Sequence, residues 1–151
     1  MPAPGDSSLG AAISIAARLE SRVGERAAAL RHLRKAISYS HHNGDRTTLF
    51  SALDRGVEVM WNIGDHETAV LLHGVLTDDA NRSMDTIAST PEGLERMRVV
   101  AEARATLDPN RFDELVCLGA AMSYAEIIDR VLSAIDSAAE SVERPRNPGV
   151  P

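Results

Sequence analysis

The chain predicts an all-α fold, an antiparallel stack of helical hairpins with about seven helices. A Gly-acid step recurs at Gly24-Glu25, Gly44-Asp45 and Gly64-Asp65, each twenty residues after the last. Glycine tolerates the left-handed backbone that closes a helix, and an acid after it can cap or charge-match the next helix. The interval is therefore one helix plus its turn, and the apolar residues between steps recur at helical spacing. Composition agrees: 44% of residues are hydrophobic but only 3% aromatic, and alanine is abundant. That suits close-packed helices better than a large β core. At 151 residues the chain is one ordinary domain, burying roughly 68–70% of its unfolded surface.

Residues 1–7, rich in Pro, Gly and Ser, are expected to be disordered, with one helical domain over 8–139. Helix one starts near Ser8, with an apolar stripe of Leu9, Ala12, Ile13, Ala16, Leu19 and Val23. Helix two runs from about Glu25 to His42, burying Ala29, Leu30, Leu33, Ala36 and Ile37. Helix three, from about Arg46 to Asn62, presents Leu49, Phe50, Leu53, Val57 and Met60, and its internal Gly56 points to a close helix approach. Helix four follows Gly64-Asp65 with Ala69, Leu72, His73 and Leu76 on one face. The polar run 77–90 reads as a partly helical connection.

Thr90 and Pro91 are a start signal, cap then first-turn proline, for helix five with apolar members Leu94, Met97, Val100, Ala101 and Leu107. Asp108-Pro109 repeats the signal for a short helix six that turns Phe112, Leu115 and Val116 inward and ends at Gly119. Ser123 and Glu126 form a capping box, with Met122 and Ile127 as its hydrophobic staple. Helix seven then carries Tyr124, Ile127, Ile128, Val131, Leu132 and Ile135, the cleanest amphipathic pattern in the chain. The Pro-rich end cannot continue a helix, and 140–151 is expected to be a disordered tail.

The chemistry-bearing residues are sparse. A formal charge of −6 opposes direct nucleic-acid binding, which needs a basic surface; Arg31, His32, Arg34 and Lys35 read as one solvated helix face. Cys117, the single cysteine, lies among Leu115, Val116 and Leu118 and is expected to be a buried, inert thiol. His66 and His73 stand two turns apart, roughly 10 Å along an axis, too far to share one zinc. Asp78, Asp79 and Asp85 lack the EF-hand ligand pattern. Neither a catalytic residue, a cofactor site nor a metal site is expected. No secretory leader and no run of roughly 20 apolar residues is visible, so a cytoplasmic protein without a membrane span is expected. Tyr39, Met60, Trp61 and His73 are the candidate partner surface, to be judged by their exposure.

The run Gly64-Asp65-His66-Glu67-Thr68-Ala69-Val70-Leu71-Leu72-His73-Gly74 resembles a Gly-Asp, Ala, Leu-Leu, Gly pattern in the C-terminal tetratricopeptide-like region of large actinobacterial regulators. These proteins join an ATPase core and such helices to a LuxR-type DNA-binding domain or an adenylate/guanylate cyclase domain. A second stretch is similar: Glu95-Arg96-Met97, then Leu107, Phe112, Gly119 and the Ser123-Tyr124-Ala125-Glu126 start. The resemblance covers about residues 25–138. It departs from the standard tetratricopeptide signature, because the Trp, Tyr and Pro positions are not all filled. The chain holds no G-x-x-x-x-G-K-[ST] loop, so the ATPase core is absent and no family catalytic residue carries over. What the resemblance implies is a non-enzymatic interaction or sensor module that binds a protein partner or itself. The competing expectation is a small-molecule sensor with a pocket between helices.

Overall fold

The computed structural model describes residues 6–77 and 91–143. Over these it is all helical, with seven helices and no strand: α1 Asp6–Arg22, α2 Arg26–His42, α3 Arg46–Ile63, α4 His66–Thr77, α5 Pro91–Thr106, α6 Pro109–Ala120 and α7 Tyr124–Glu143. The expected disordered 1–7 and 140–151 and the expected connection 77–90 lie largely outside the described residues. Where they overlap them, Asp6, Ser7, Thr77 and residues 140–143 are helical.

The three Gly-acid steps make three copies of one turn. Gly24, Gly44 and Gly64 have φ of 85°, 69° and 103°, a conformation that costs an L side chain roughly 1–2 kcal/mol. In each turn the acid's amide reaches back to a carbonyl five residues earlier: Glu25 to Glu20 at 2.9 Å, Asp45 to Ser40 at 2.9 Å, Asp65 to Met60 at 3.0 Å. Asp45 and Asp65 then cap the following helices, each accepting from the amide of a threonine three residues on, Thr48 or Thr68, at 3.1 Å. The threonine hydroxyls add bonds of 2.6 and 2.7 Å. Glu25 makes no side-chain cap. Asp108 caps α6 through Asn110 and Arg111. Of the expected capping box at α7, the bond accepted by Ser123 from the Glu126 amide is present at 3.2 Å.

Contact register gives the directions. Gly10 meets Thr48, Ser14 meets Arg55, and Ser21 meets Asn62, so α1 and α3 run the same way. Asp54 to Arg96 and Trp61 to Glu102 set α5 parallel to α3. Glu67 to Arg111 and Gly74 to Val116 do the same for α4 and α6. Parallel second neighbours are the register of stacked hairpins. α7 breaks the simple progression: it returns to pack on α2 and touches α4, burying Ile127, Ile128, Val131 and Ile135. Arg34 to Asp136 and His41 to Tyr124 show that it runs antiparallel to α2.

Three expectations about packing change. On the first helix Leu9, Ala12, Leu19 and Val23 of the expected apolar stripe are exposed, and Gly10, Ser14, Ala17 and Ser21 are buried instead. Gly56 is buried, but a methyl group there would meet the Leu33 and Leu72 side chains at an ordinary 3.5 Å. The close backbone approach is instead between α4 and α6. A Cβ on Gly74 would lie 2.9 Å from Val116 Cα, and one on Gly119 would lie 2.9 Å from Val75 N. Helix six continues one residue past Gly119, to Ala120. The buried face of α5 is also rotated from the expected one. Gly93, Val99, Val100 and Ala103 are buried, whereas Leu94, Met97 and Ala101 are exposed. Arg96 lies on this inward side, its side chain only 12% exposed and 3.5 Å from Asp54.

Candidate functional site

The four residues expected to form a partner surface do not form one. Met60 is fully buried in the core and His73 is 8% exposed, because both fall on the stripes that α3 and α4 turn toward each other and toward α5. Tyr39 is half-buried beside Arg31, Arg34, Lys35, Ser38 and His42 on the outer side of α2. Trp61 is half-buried between α3, α4 and α5: its ring stacks on His66 at 4.0 Å and its Nε1 donates to Glu102 at 3.0 Å. Cys117, expected to be buried, is exposed. Leu115 and Gly119 are on the inward side of α6, which leaves Cys117 and Leu118 on the outward side.

The structure brings together instead a set of charges at the crossing of α1, α3 and α5. Asp54 and Glu58 are one turn apart on α3 and both 2% exposed. Glu58 accepts from Arg22 Nε at 2.6 Å and Nη2 at 3.2 Å, and Arg22 Nη2 also lies 3.9 Å from Glu95. Asp54 lies 3.5 Å from Arg96 Nη1. The same face of α3 continues with Asn62, which donates to Ser21 at 3.1 Å, and Arg55 donates to Ser14 at 2.8 Å. The result is a polar seam by which α3 holds α1 on one side and α5 on the other.

His73 abuts this seam from α4. Burial, with the Arg96 and Arg104 charges as smaller contributions, lowers its pKa to about 4, so the ring is neutral at pH 7. Among the described residues its buried Nδ1 has no hydrogen-bond partner. The sequence carried a signal for this seam that the apolar count passed over. Asp54 and Glu58 immediately follow Leu53 and Val57, the core residues of α3. Arg96 sits at the helical repeat of Gly93, Val100 and Ala103.

On the outside, Arg111 grips Glu67 through two bonds of 2.8 Å and reaches Glu114 at 2.9 Å, tying α6 to α4. Hydrogen bonding from Arg111 holds the Glu67 carboxyl below its usual range. Leu94 on α5 is 63% and Met97 49% exposed. A cleft of about 370 Å³ opens between α4, α6 and α7, lined in part by Asp65, Thr68, Leu115, Arg130 and Ser137. Among the described residues no three His, Cys, Asp or Glu side chains converge as metal ligands would. None of the described helices is long and apolar enough to cross a membrane. Compared with known proteins, the chain matches no family model, no curated protein and no solved structure.

Proposed function

We propose that this chain is a non-enzymatic helical interaction module that offers a rigid helical stack to a protein partner. It would serve as tetratricopeptide-like regions do in bacterial LuxR-type and cyclase-type regulators. The observation that supports this reading is the outward stripe of α5. Leu94 and Met97 are exposed, Ala101 continues the stripe at i+7, and Arg98, Glu102 and Arg104 rim it. An apolar strip with a charged rim is the composition of a docking surface. α5 is tied to α3 by the Asp54–Arg96 and Trp61–Glu102 contacts, so the strip is already ordered before a partner arrives and little ordering entropy is lost on docking. A partner that binds one of two arrangements better would have its own equilibrium shifted by that difference.

Site-specific photo-crosslinking in cells tests the reading, with the crosslinker placed at Met97 and, as control, at Glu140 on the outer face of α7. A discrete adduct from position 97 that disappears on Leu94→Glu is the expected result. No adduct, or equal adducts from both positions, would sink it.

A small-molecule sensor is the second reading, supported by the polar cleft between α4, α6 and α7, whose size suits a small ligand. A ligand there raises the melting temperature by mass action. Thermal-shift hits that vanish on Ser137→Trp would favour it.

A further inference from the structure

α2 and α7 lie side by side and antiparallel, and their outer sides carry opposite charge. α2 is the one described helix without an acidic residue. Its exposed Arg31, Arg34, Lys35 and His42, together with Tyr39, line a groove of about 650 Å³. α7 holds five acids against the single Arg130, and Glu126, Asp129, Asp136 and Glu140 are exposed along one face at steps of three, seven and four. The other five described helices are neutral or carry one net negative charge, so among the described residues this juxtaposition occurs once.

Pairing inside the chain uses little of this charge. Arg34 bonds Asp136 across the two helices at 2.9 Å, but among the described residues Arg31, Lys35, Glu126, Asp129 and Glu140 enter no ion pair. The Arg34–Asp136 and His41–Tyr124 bonds also fix the register of the two helices. Arg31 stands level with the turn from Asp136 to Glu140, Lys35 with the stretch from Asp129 to Asp136, and His42 with Glu126.

We infer that two copies of this chain pair face to face through α2 and α7, each copy's α2 lying on the other's α7. A two-fold axis between the two helices and parallel to them does this in one operation. It exchanges the two helix positions while keeping every residue at its own level, so Arg31 meets Asp136 and Glu140 of the second copy, Lys35 meets Asp129, and His42 meets Glu126. The contact is isologous, so each pair forms twice. Because the chain carries −6, two copies repel wherever like charge is apposed, and this arrangement alone sets an acid-free helix on the most acidic one. Arg31 to His42 spans about 16 Å along α2, the extent of a small, reversible interface rather than an obligate one. The pairing does not involve the α5 docking strip.

Charge exchange tests it. One variant reverses α2, Arg31→Glu with Lys35→Glu, and the other reverses α7, Asp129→Lys with Glu140→Lys. All four positions are exposed, so both variants are expected to keep the far-UV circular dichroism of the wild type. In sedimentation equilibrium the wild type is expected to reach twice the 16.2 kDa chain mass as concentration rises. Each variant alone is expected to stay monomeric, and an equal mixture of the two to regain the dimer, because the reversed α2 of one then meets the reversed α7 of the other. The α7 variant is closer to neutral than the wild type, so overall repulsion does not account for its loss of pairing. Glu140, the control position for crosslinking at Met97, is expected to give only an adduct of two chains, and Leu94→Glu is expected to leave the dimer intact. Wild type monomeric at every concentration, a variant that dimerises alone as the wild type does, or a mixture that pairs no better than its components overturns the proposal.

Discussion

Asp54 and Glu58 are carboxylates placed where apolar residues would pack, and each has an arginine beside it, Arg96 at 3.5 Å and Arg22 at 2.6 Å. Removing one partner of a buried pair leaves the other charge uncompensated, at a cost of about 3–5 kcal/mol when both are desolvated. Asp54→Ala leaves Arg96, only 12% exposed, in that position and is expected to lower the urea midpoint by the equivalent of about 3 kcal/mol. Glu58→Ala is expected to cost less, since Arg22 is 39% exposed and water can take over its solvation. Equal losses for the two variants would argue against desolvation as the cause. His73 gives a pH signature. Its folded pKa, about 4, lies below the ordinary value near 6.5, so between those values the unfolded chain binds the extra proton. Stability therefore falls as pH drops through that window. Chemical denaturation of wild type and His73→Leu at pH 7 and pH 4.5 checks it: the variant is expected to lose distinctly less stability on acidification.

Between helices, the same residue type has different consequences according to its surroundings. Gly64 is held at φ 103° with open space for 4 Å around the point a methyl group would occupy, so its cost is conformational, and Gly64→Ala is expected to destabilise by about 1–2 kcal/mol. Gly74 has an ordinary helical backbone and no room, because Val116 Cα stands 2.9 Å from where its Cβ would be. Gly74→Ala must separate α4 from α6 and is expected to cost more than Gly64→Ala, whereas Gly56→Ala, facing only side-chain methyls at 3.5 Å, is expected to be neutral or stabilising. Thermal melts of the three variants give the ranking. A Gly74→Ala protein as stable as wild type would show that α4 and α6 cross less tightly than these distances require.

At the level of the whole molecule, α7 decides the cooperativity. It is the last described helix yet lies on α2 and α4, so its stripe of Ile127, Ile128, Val131 and Ile135 belongs to the same core as Leu30, Leu33 and Leu53. A linear stack can fray repeat by repeat from its ends; here α7 folds back onto α2. Urea unfolding followed by circular dichroism, which reports all helices, and by Trp61 fluorescence, which reports the α3–α5 junction, is expected to give coincident transitions. Separated midpoints would show that α7 and α2 unfold independently of the rest. The returning helix also covers one side of the stack with the chain's own residues. A different protein is therefore better sought on α5, where apolar side chains remain exposed.

Helix number, most helix starts and the three ends marked by Gly24, Gly44 and Gly64 were readable along the chain, because a left-handed glycine, a capping Asp or a first-turn Pro acts within a few residues of itself. The same holds for the inward face of α7, whose apolar stripe is undiluted. What each of the other helices turns inward was decided only by its neighbours. α1 buries serines and leaves leucines outside because α2 and α3 admit only small side chains there. α5 turns Gly93, Val99, Val100 and Ala103 inward beside Arg96 and leaves Leu94 and Met97 outside. Cys117 is exposed where burial was expected for the same reason: apolar periodicity says that a face exists, while contacts between residues far apart in sequence choose which face is covered.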